Sequence, residues 1–274
     1  MGILEDLKKK AKKYDIPQGS EEAQALTKII NSLFYLPKKP TAEAVFVEQV
    51  ATRGLGTQER TGLHASSLTV SDDKFCLRAQ ILAIFFKQDG NKDLPPNLIR
   101  IFEEGNSVHE KWQRLFLRAG FSKYDELDKT CFNEEFGVYF SPDIICRIPD
   151  FAGDELLIGE IKSMNSHAFD AQAKHPTAWL QLQFYMFLTG IRKGFVLCEN
   201  KNTQAFRVEY YEYDEEKINF IIRRLLKIQR YKRVLERDKR IVCRPKDANG
   251  VNCKRCESCF MRSACWKISE RIRY

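Results

Sequence analysis

The feature that most restricts this 274-residue sequence is a pair of opposite charges at the end of an apolar run, LLIGEIKS at 156–163. A run this apolar and β-rich reads as a strand, and side chains alternate faces along a strand, so Glu160 and Lys162 point the same way. Upstream, GVYFSPDIICRI (137–148) is also β-rich, and PDFAGDE (149–155) between the two reads as a turn. In such a hairpin Asp143 lies beside Glu160 and Lys162. Two carboxylates in an apolar sheet repel each other and lose hydration. A divalent cation relieves both costs, and oxygen ligands of this kind suit Mg²⁺ or Mn²⁺. The metal would polarise a phosphoryl oxygen and lower the pKa of a bound water. Lys162 would orient that water or stabilise charge growing on the phosphate. The plainer alternative is a surface salt bridge between Glu160 and Lys162 on an edge strand; the apolar stretch before them argues for a buried strand emerging at the charges.

Around this hairpin the chain alternates helices and strands. Residues 1–60 read as a helical N-terminal extension: a lysine-rich helix over about 3–14, a polar break at Pro17–Ser20, and a second helix over about 21–34. Residues 61–274 read as the main domain. Asp72 and Asp73 precede an apolar helix, Pro95 and Pro96 open a long helix to about Ala119, and Gly120 suits the position just past its end. That helix carries His109, a candidate nitrogen ligand, with Trp112, Gln113 and Phe116 on neighbouring faces. After the hairpin, a helix begins near Pro176 and stops at Gly190. Within it, WLQLQFYMF places Gln181 and Tyr185 four apart on one face. They face either solvent or nucleic acid near a reacting phosphate. Two more strands (GFVLCEN, AFRVEYYEYD) and a basic helix over about 214–237 complete a mixed α/β sandwich.

Net charge is +8, and its distribution says more than its size. From Arg223 to Pro245 the run RRLLKIQRYKRVLERDKRIVCRP has only Glu236 and Asp238 as acids. It is either a solvated helix face or a ridge that follows phosphates, with Arg230, Arg233 and Arg237 as contacts. No stretch is apolar and long enough to span a membrane, and the charged start is not a secretory signal, so the expected setting is cytoplasmic. In that setting nine cysteines do not read as disulfides. Cys256, Cys259 and Cys265 form C-x2-C-x5-C, and Cys253 adds a second C-x2-C register. Spacing alone leaves open a structural zinc site of Cys253, Cys256, Cys259 and Cys265 or an iron–sulfur cluster.

The order His109, Asp143, Glu160-x-Lys162, Gln181-x3-Tyr185 resembles the PD-(D/E)xK nuclease superfamily, and within it the RecB-like exonuclease branch. The resemblance covers roughly residues 64–265. It implies a restriction-endonuclease-like mixed central sheet flanked by helices. It also implies that His109, Asp143, Glu160 and the backbone carbonyl of Ile161 hold the catalytic metal. The tail is similar to those of the iron–sulfur CRISPR-associated spacer-adaptation nucleases and AddB-type nuclease domains, in which one distant cysteine joins three C-terminal ones around a 4Fe–4S cluster. Cys76, followed by Leu77 and Arg78, sits where that distant ligand belongs, with proline replaced by leucine. The implied ligands are then Cys76, Cys256, Cys259 and Cys265, so the cluster segments are the Cys76 region and 253–265. Cys253 is an extra thiol that keeps the zinc alternative open.

The function expected is a metal-dependent deoxyribonuclease, an exonuclease on single strands or DNA ends. The rivals are an endonuclease on the same core and an inactive DNA-binding or scaffold subunit with structural zinc. No P-loop (G-x4-G-K-S/T) occurs, so a helicase, or another recombination or adaptation protein, would be a separate partner.

Overall fold

The structure is a computed structural model, and it describes residues 19–37, 62–72, 74–88, 96–127, 129–171, 175, 177–238, 256 and 259–265. The lysine-rich segment 3–14, Arg53–Gly62 apart from its last residue, and Cys253 lie outside the described residues. The chain divides into two compact units, one of Met1–Leu55, Pro95–Thr130 and Ser141–Asp214, the other of Gly56–Leu94, Cys131–Phe140 and Glu215–Tyr274. Each contains a mixed sheet with helices against it, a mixed α/β architecture.

The first unit is built on β4 (Ile144–Arg147), β5 (Leu156–Met164), β6 (Lys193–Asn200) and β7 (Phe206–Glu212), in that spatial order. β4 and β7 run antiparallel to their neighbours, while β5 and β6 are parallel. Parallel neighbours need a helical crossover, supplied by α5 (Ser166–Asp170) and α6 (Ala178–Thr189). Gly190 ends α6 in the left-handed conformation, φ 76°, which glycine adopts without strain. Helices α1 (Glu21–Ser32) and α4 (Pro96–Ala119) cover one face of this sheet. Ser20 starts α1 as its cap, its Oγ accepting from the Ala23 N–H at 3.2 Å. Leu26, Ile29, Ile30 and Leu33 at its inner face join Trp112 and Phe116 of α4 and Ile161, Phe195 and Leu197 of the strands in one apolar core. Helix Glu21–Ser32, read from sequence as part of an extension, is thus packed on the strands. Phe116 stacks on Phe195 with centroids 5.7 Å apart. Gly159 makes room for that ring: a Cβ there would come within 2.5 Å of Phe195 Cζ.

One sequence expectation is revised. The β-rich stretch 137–148 is not one strand. It breaks at Ser141-Pro142-Asp143, with β3 (Val138–Phe140) ending in one sheet and β4 beginning in the other. Pro142 has no amide hydrogen to give to a ladder. Asp143 therefore stands at the mouth of β4 instead of within a continuous strand.

The second unit holds a small sheet in the order β1 (Leu63–His64), β3, β2 (Cys131–Asn133), with β1 parallel and β2 antiparallel to β3. A single helical turn, α2 (Ala65–Leu68), follows β1, and α3 (Leu77–Phe85) packs against α7 (Glu215–Asp238). Ile218, Ile221, Leu225 and Ile228 form the buried stripe of α7 at helical spacing. Arg224, also buried, donates to the carbonyls of Leu68 and Val70 at 2.6 Å each and pairs with Asp72. Its guanidinium lies 4.2 Å from the centroid of the Phe75 ring, a stacked placement that keeps a buried cation satisfied.

Candidate active site

The antiparallel pairing of β4 and β5 sets Ile144 opposite Gly159. One step further along this register brings Asp143 level with Glu160. Both carboxylates are buried, at 7% and 2% exposure. Glu160 and Lys162 share a face of β5, as alternation requires, and their side chains form an ion pair. His109, on α4, places Nδ1 3.1 Å from Asp143 Oδ1. The other oxygen, Oδ2, accepts from the Ile161 N–H at 2.7 Å. The structure therefore brings His109, Asp143, Glu160, Ile161 and Lys162 together.

The electrostatics follow from crowding charge out of water. For Asp143, burial would raise the pKa, but His109, Lys162 and the Ile161 amide outweigh it and hold the carboxyl below its usual range. Glu160 goes the other way. Burial raises it most, Asp143 raises it further, and even with Lys162 opposing it is pushed up to about 7. Burial works against the charged forms of His109 and Lys162, yet the two carboxylates raise both above their ordinary values. Two acids with pKa values driven apart and two basic groups raised above their ordinary values are what a crowded, desolvated site produces.

This donor set fits a hard divalent cation. Glu160 Oε2 is buried and has no hydrogen-bond partner, a costly state for a carboxylate oxygen that a cation would relieve. The available donors are carboxylate and carbonyl oxygens with one imidazole nitrogen, suited to Mg²⁺ or Mn²⁺. Here the donors are engaged with one another, and among the described residues no three His, Cys, Asp or Glu side chains form a ready ligand group.

Other residues frame the site that sequence reading passed over. Gln113, 2% exposed, donates from Nε2 to the Asp143 carbonyl at 2.8 Å. Glu199 at the end of β6 accepts from Lys111 Nζ and Trp112 Nε1, each at 2.6 Å, fastening α4 to the sheet. His175 has its pKa lowered to about 4, first by burial and then by the charge of Lys162. Only the helical spacing from His109 hinted at Gln113; the strand containing Glu199 gave no sign of its contacts. Gln181 and Tyr185 do share α6, Gln181 half-buried and Tyr185 buried at 4%. The buried amide that bonds on this helix is Gln183, which donates to the Glu212 carbonyl and accepts from the Asp214 N–H, both at 2.8 Å.

In the second unit, Cys76, Cys259 and Cys265 pack around the cluster of Ala79, Leu82, Ala83 and Met261. Arg78, 2% exposed, donates from Nε to Cys265 Sγ at 3.1 Å. Cys256 is half-buried one turn before Cys259, whose N–H donates to the Cys256 carbonyl at 3.3 Å. On α7, Arg223, Lys227, Arg230 and Arg233 are exposed on the side away from the buried stripe; the Arg237 side chain lies outside the described residues.

No family model matches the chain, and no curated protein matches it. Among solved structures, the chain is similar to an alkaline exonuclease, LHK-Exo, from Laribacter hongkongensis. The likeness has 17% identity and TM-score 0.46, covering 70% of this chain and 97% of that one. The same exonuclease in complex with dAMP gives 15% identity and TM-score 0.45 over 73% and 98%. SSO0001 gives 13% and 0.41 over 85% and 97%. Among the described residues no helix is long and apolar enough to cross a membrane.

Proposed function

We propose that this chain is a metal-dependent deoxyribonuclease of the PD-(D/E)xK type, hydrolysing phosphodiester bonds of single-stranded DNA or DNA ends. The observation that carries the reading is the convergence of buried Asp143 and Glu160 with half-buried His109 and Lys162, with one Glu160 oxygen left unsatisfied. Asp143, Glu160, His109 and the Ile161 carbonyl would hold Mg²⁺ or Mn²⁺, which supplies Lewis-acid activation of water and phosphate. Lys162, kept cationic by its carboxylate neighbours, places a positive charge where a phosphate oxygen gains negative charge. Asp143, fixed from two sides by His109 and the Ile161 amide, offers a preoriented carboxylate. The low-dielectric surroundings strengthen each of these interactions. Gln181 and the basic face of α7, with Arg230, Arg233 and Arg237, would each contact nucleic acid, reading backbone more than base sequence, while Tyr185, 4% exposed, packs in the core.

We further propose a 4Fe–4S cluster on Cys76, Cys256, Cys259 and Cys265, with structural zinc as the alternative. What supports it is that three of these thiols meet one apolar cluster from segments nearly 190 positions apart. Bound there, it would close a long loop and add to folding stability. A cytoplasmic setting and a separate unwinding partner go with this reading.

The test is digestion of end-labelled single- and double-stranded DNA, linear and circular, with Mg²⁺, Mn²⁺ or EDTA. Release of mononucleotides or short fragments from linear DNA, lost in EDTA, is expected. Cutting of closed circles would make it an endonuclease, and no metal-dependent cleavage on any substrate would overturn the reading.

A further inference from the structure

Asp143 has to present its carboxylate in one orientation, yet it lies just outside the regular ladder of the sheet. β4 begins only at Ile144, and Pro142 before it has no N–H to bond. Ile144, next to Asp143, is in the ladder opposite Gly159 and bridges Leu127, and side chains add to the hold on Asp143. The structure supplies three separate restraints on this one residue. His109 Nδ1 meets Oδ1 at 3.1 Å, the Ile161 N–H meets Oδ2 at 2.7 Å, and Gln113 Nε2 meets the main-chain carbonyl at 2.8 Å. His109 and Gln113 are four apart on α4, hence neighbours on one helical face. They grip Asp143 at both ends: the imidazole at the carboxylate, the amide at the peptide. The helix is itself held in height by Glu199, through Lys111 and Trp112.

We propose that Gln113 is a positioning residue for the metal-binding carboxylate. Its buried amide fixes the Asp143 peptide so that the side chain is presented to a divalent cation. This rests on the nuclease reading above, in which Asp143 ligates the metal. Gln113 touches neither metal nor DNA in this account; it acts through Asp143. A glutamine with 2% exposure spends its one visible donor bond on the residue whose orientation matters most, whereas Leu115 and Phe116 beside it serve the apolar core. Partners outside the ligand shell typically change metal affinity or activity by about 10- to 100-fold when removed.

The experiment uses the full-length protein and Mn²⁺ as the probe, read by calorimetry or by the electron paramagnetic resonance of free Mn²⁺. Wild type, Asp143→Ala, Gln113→Met and Gln113→Asn are compared. Met keeps the length of the side chain and removes the donor; Asn keeps the donor and is one methylene short of the carbonyl. Both are expected to weaken Mn²⁺ binding by about tenfold or more, with KM for DNA nearly unchanged and kcat at low Mn²⁺ reduced. Raising Mn²⁺ should restore kcat, which a merely misfolded variant would not do. The melting temperature in EDTA separates any loss of fold, and Asn serves if Met fails to fold. Wild-type Mn²⁺ affinity in a folded Gln113 variant, while Asp143→Ala binds none, overturns this inference alone. Wild-type protein that binds no Mn²⁺ overturns the metal reading and this inference with it.

Discussion

Two groups of charge in this molecule obey opposite rules. In the first unit, Glu160 and Lys162 on β5, Asp143 at the mouth of β4 and His109 on α4 meet among mostly apolar neighbours, and each has its ordinary pKa displaced by burial and by the others. In the second, Arg223, Lys227, Arg230 and Arg233 line the outer face of α7, open to water. Burying an ion costs several kcal/mol unless it is paired, while a solvated arginine on a helix surface costs almost nothing. A fold with no use for the first group would be more stable with leucines there. The second group says little about any one residue and much about the class of partner. Buried charge argues for chemistry at a point; exposed charge of one sign argues for attraction along a surface.

The comparison breaks first at the carboxylates. Asp143→Ala or Glu160→Ala removes a ligand of the proposed metal, whose Lewis-acid role is worth several kcal/mol, so cleavage of labelled DNA should fall by on the order of a thousandfold or more. DNA affinity should stay within a few-fold. Either variant cleaving at close to the wild-type rate would place the chemistry elsewhere. Lys162→Met comes next. Losing one preorganised cation at developing charge should cost about 100- to 1000-fold in kcat, with KM little changed. A rise in KM at constant kcat would make Lys162 a binding residue akin to those on α7.

How much of this contrast was legible in the sequence depends on distance along the chain. Glu160 and Lys162 are two apart, so strand alternation alone put them on one face, and the hairpin turn brought in Asp143. The basic helix was legible from the run that starts at Arg223, but nothing in it showed that Arg224 is buried beside Ile221, Leu225 and Ile228. The break at Pro142 was missed because the β-rich composition on both sides hid a change of sheet. Gln113 and Glu199 were missed because their partners lie 30 and 87 positions away, and nothing local in a glutamine or glutamate announces a tertiary hydrogen bond. Helix Glu21–Ser32 looked detached for the same reason: its apolar face was visible, but not the strands that it covers.

The proposed cysteine cluster would be a third kind of site, tying segments together with neither catalysis nor attraction. Protein purified without oxygen should be brown, and Cys76→Ser should bleach it and lower its melting temperature, because Cys76 is the one proposed ligand outside the tail. Cys253→Ser should change both far less. Colourless protein carrying zinc, tolerant of Cys76→Ser and intolerant of Cys253→Ser, would establish the zinc alternative and leave the carboxylate site unaffected.

The smallest expected effect concerns the outer face of α7. Each phosphate contact adds about 0.9 to the slope of log affinity against log salt on duplex DNA, and about 0.7 on a single strand. Arg230→Ala, which removes one proposed contact at an exposed position, should reduce the slope by about that amount and weaken binding only a few-fold at moderate salt. The maximal rate at saturating DNA should not change, since the residue takes no part in the bond that breaks. The loss should also be nearly equal across sequences, because phosphates are alike at every position. A slope that stays at its wild-type value, not only in Arg230→Ala but also when Arg223, Lys227 and Arg233 are replaced together, would mean that this face meets solvent alone. The contrast would then lie between a working site and a merely solubilising surface.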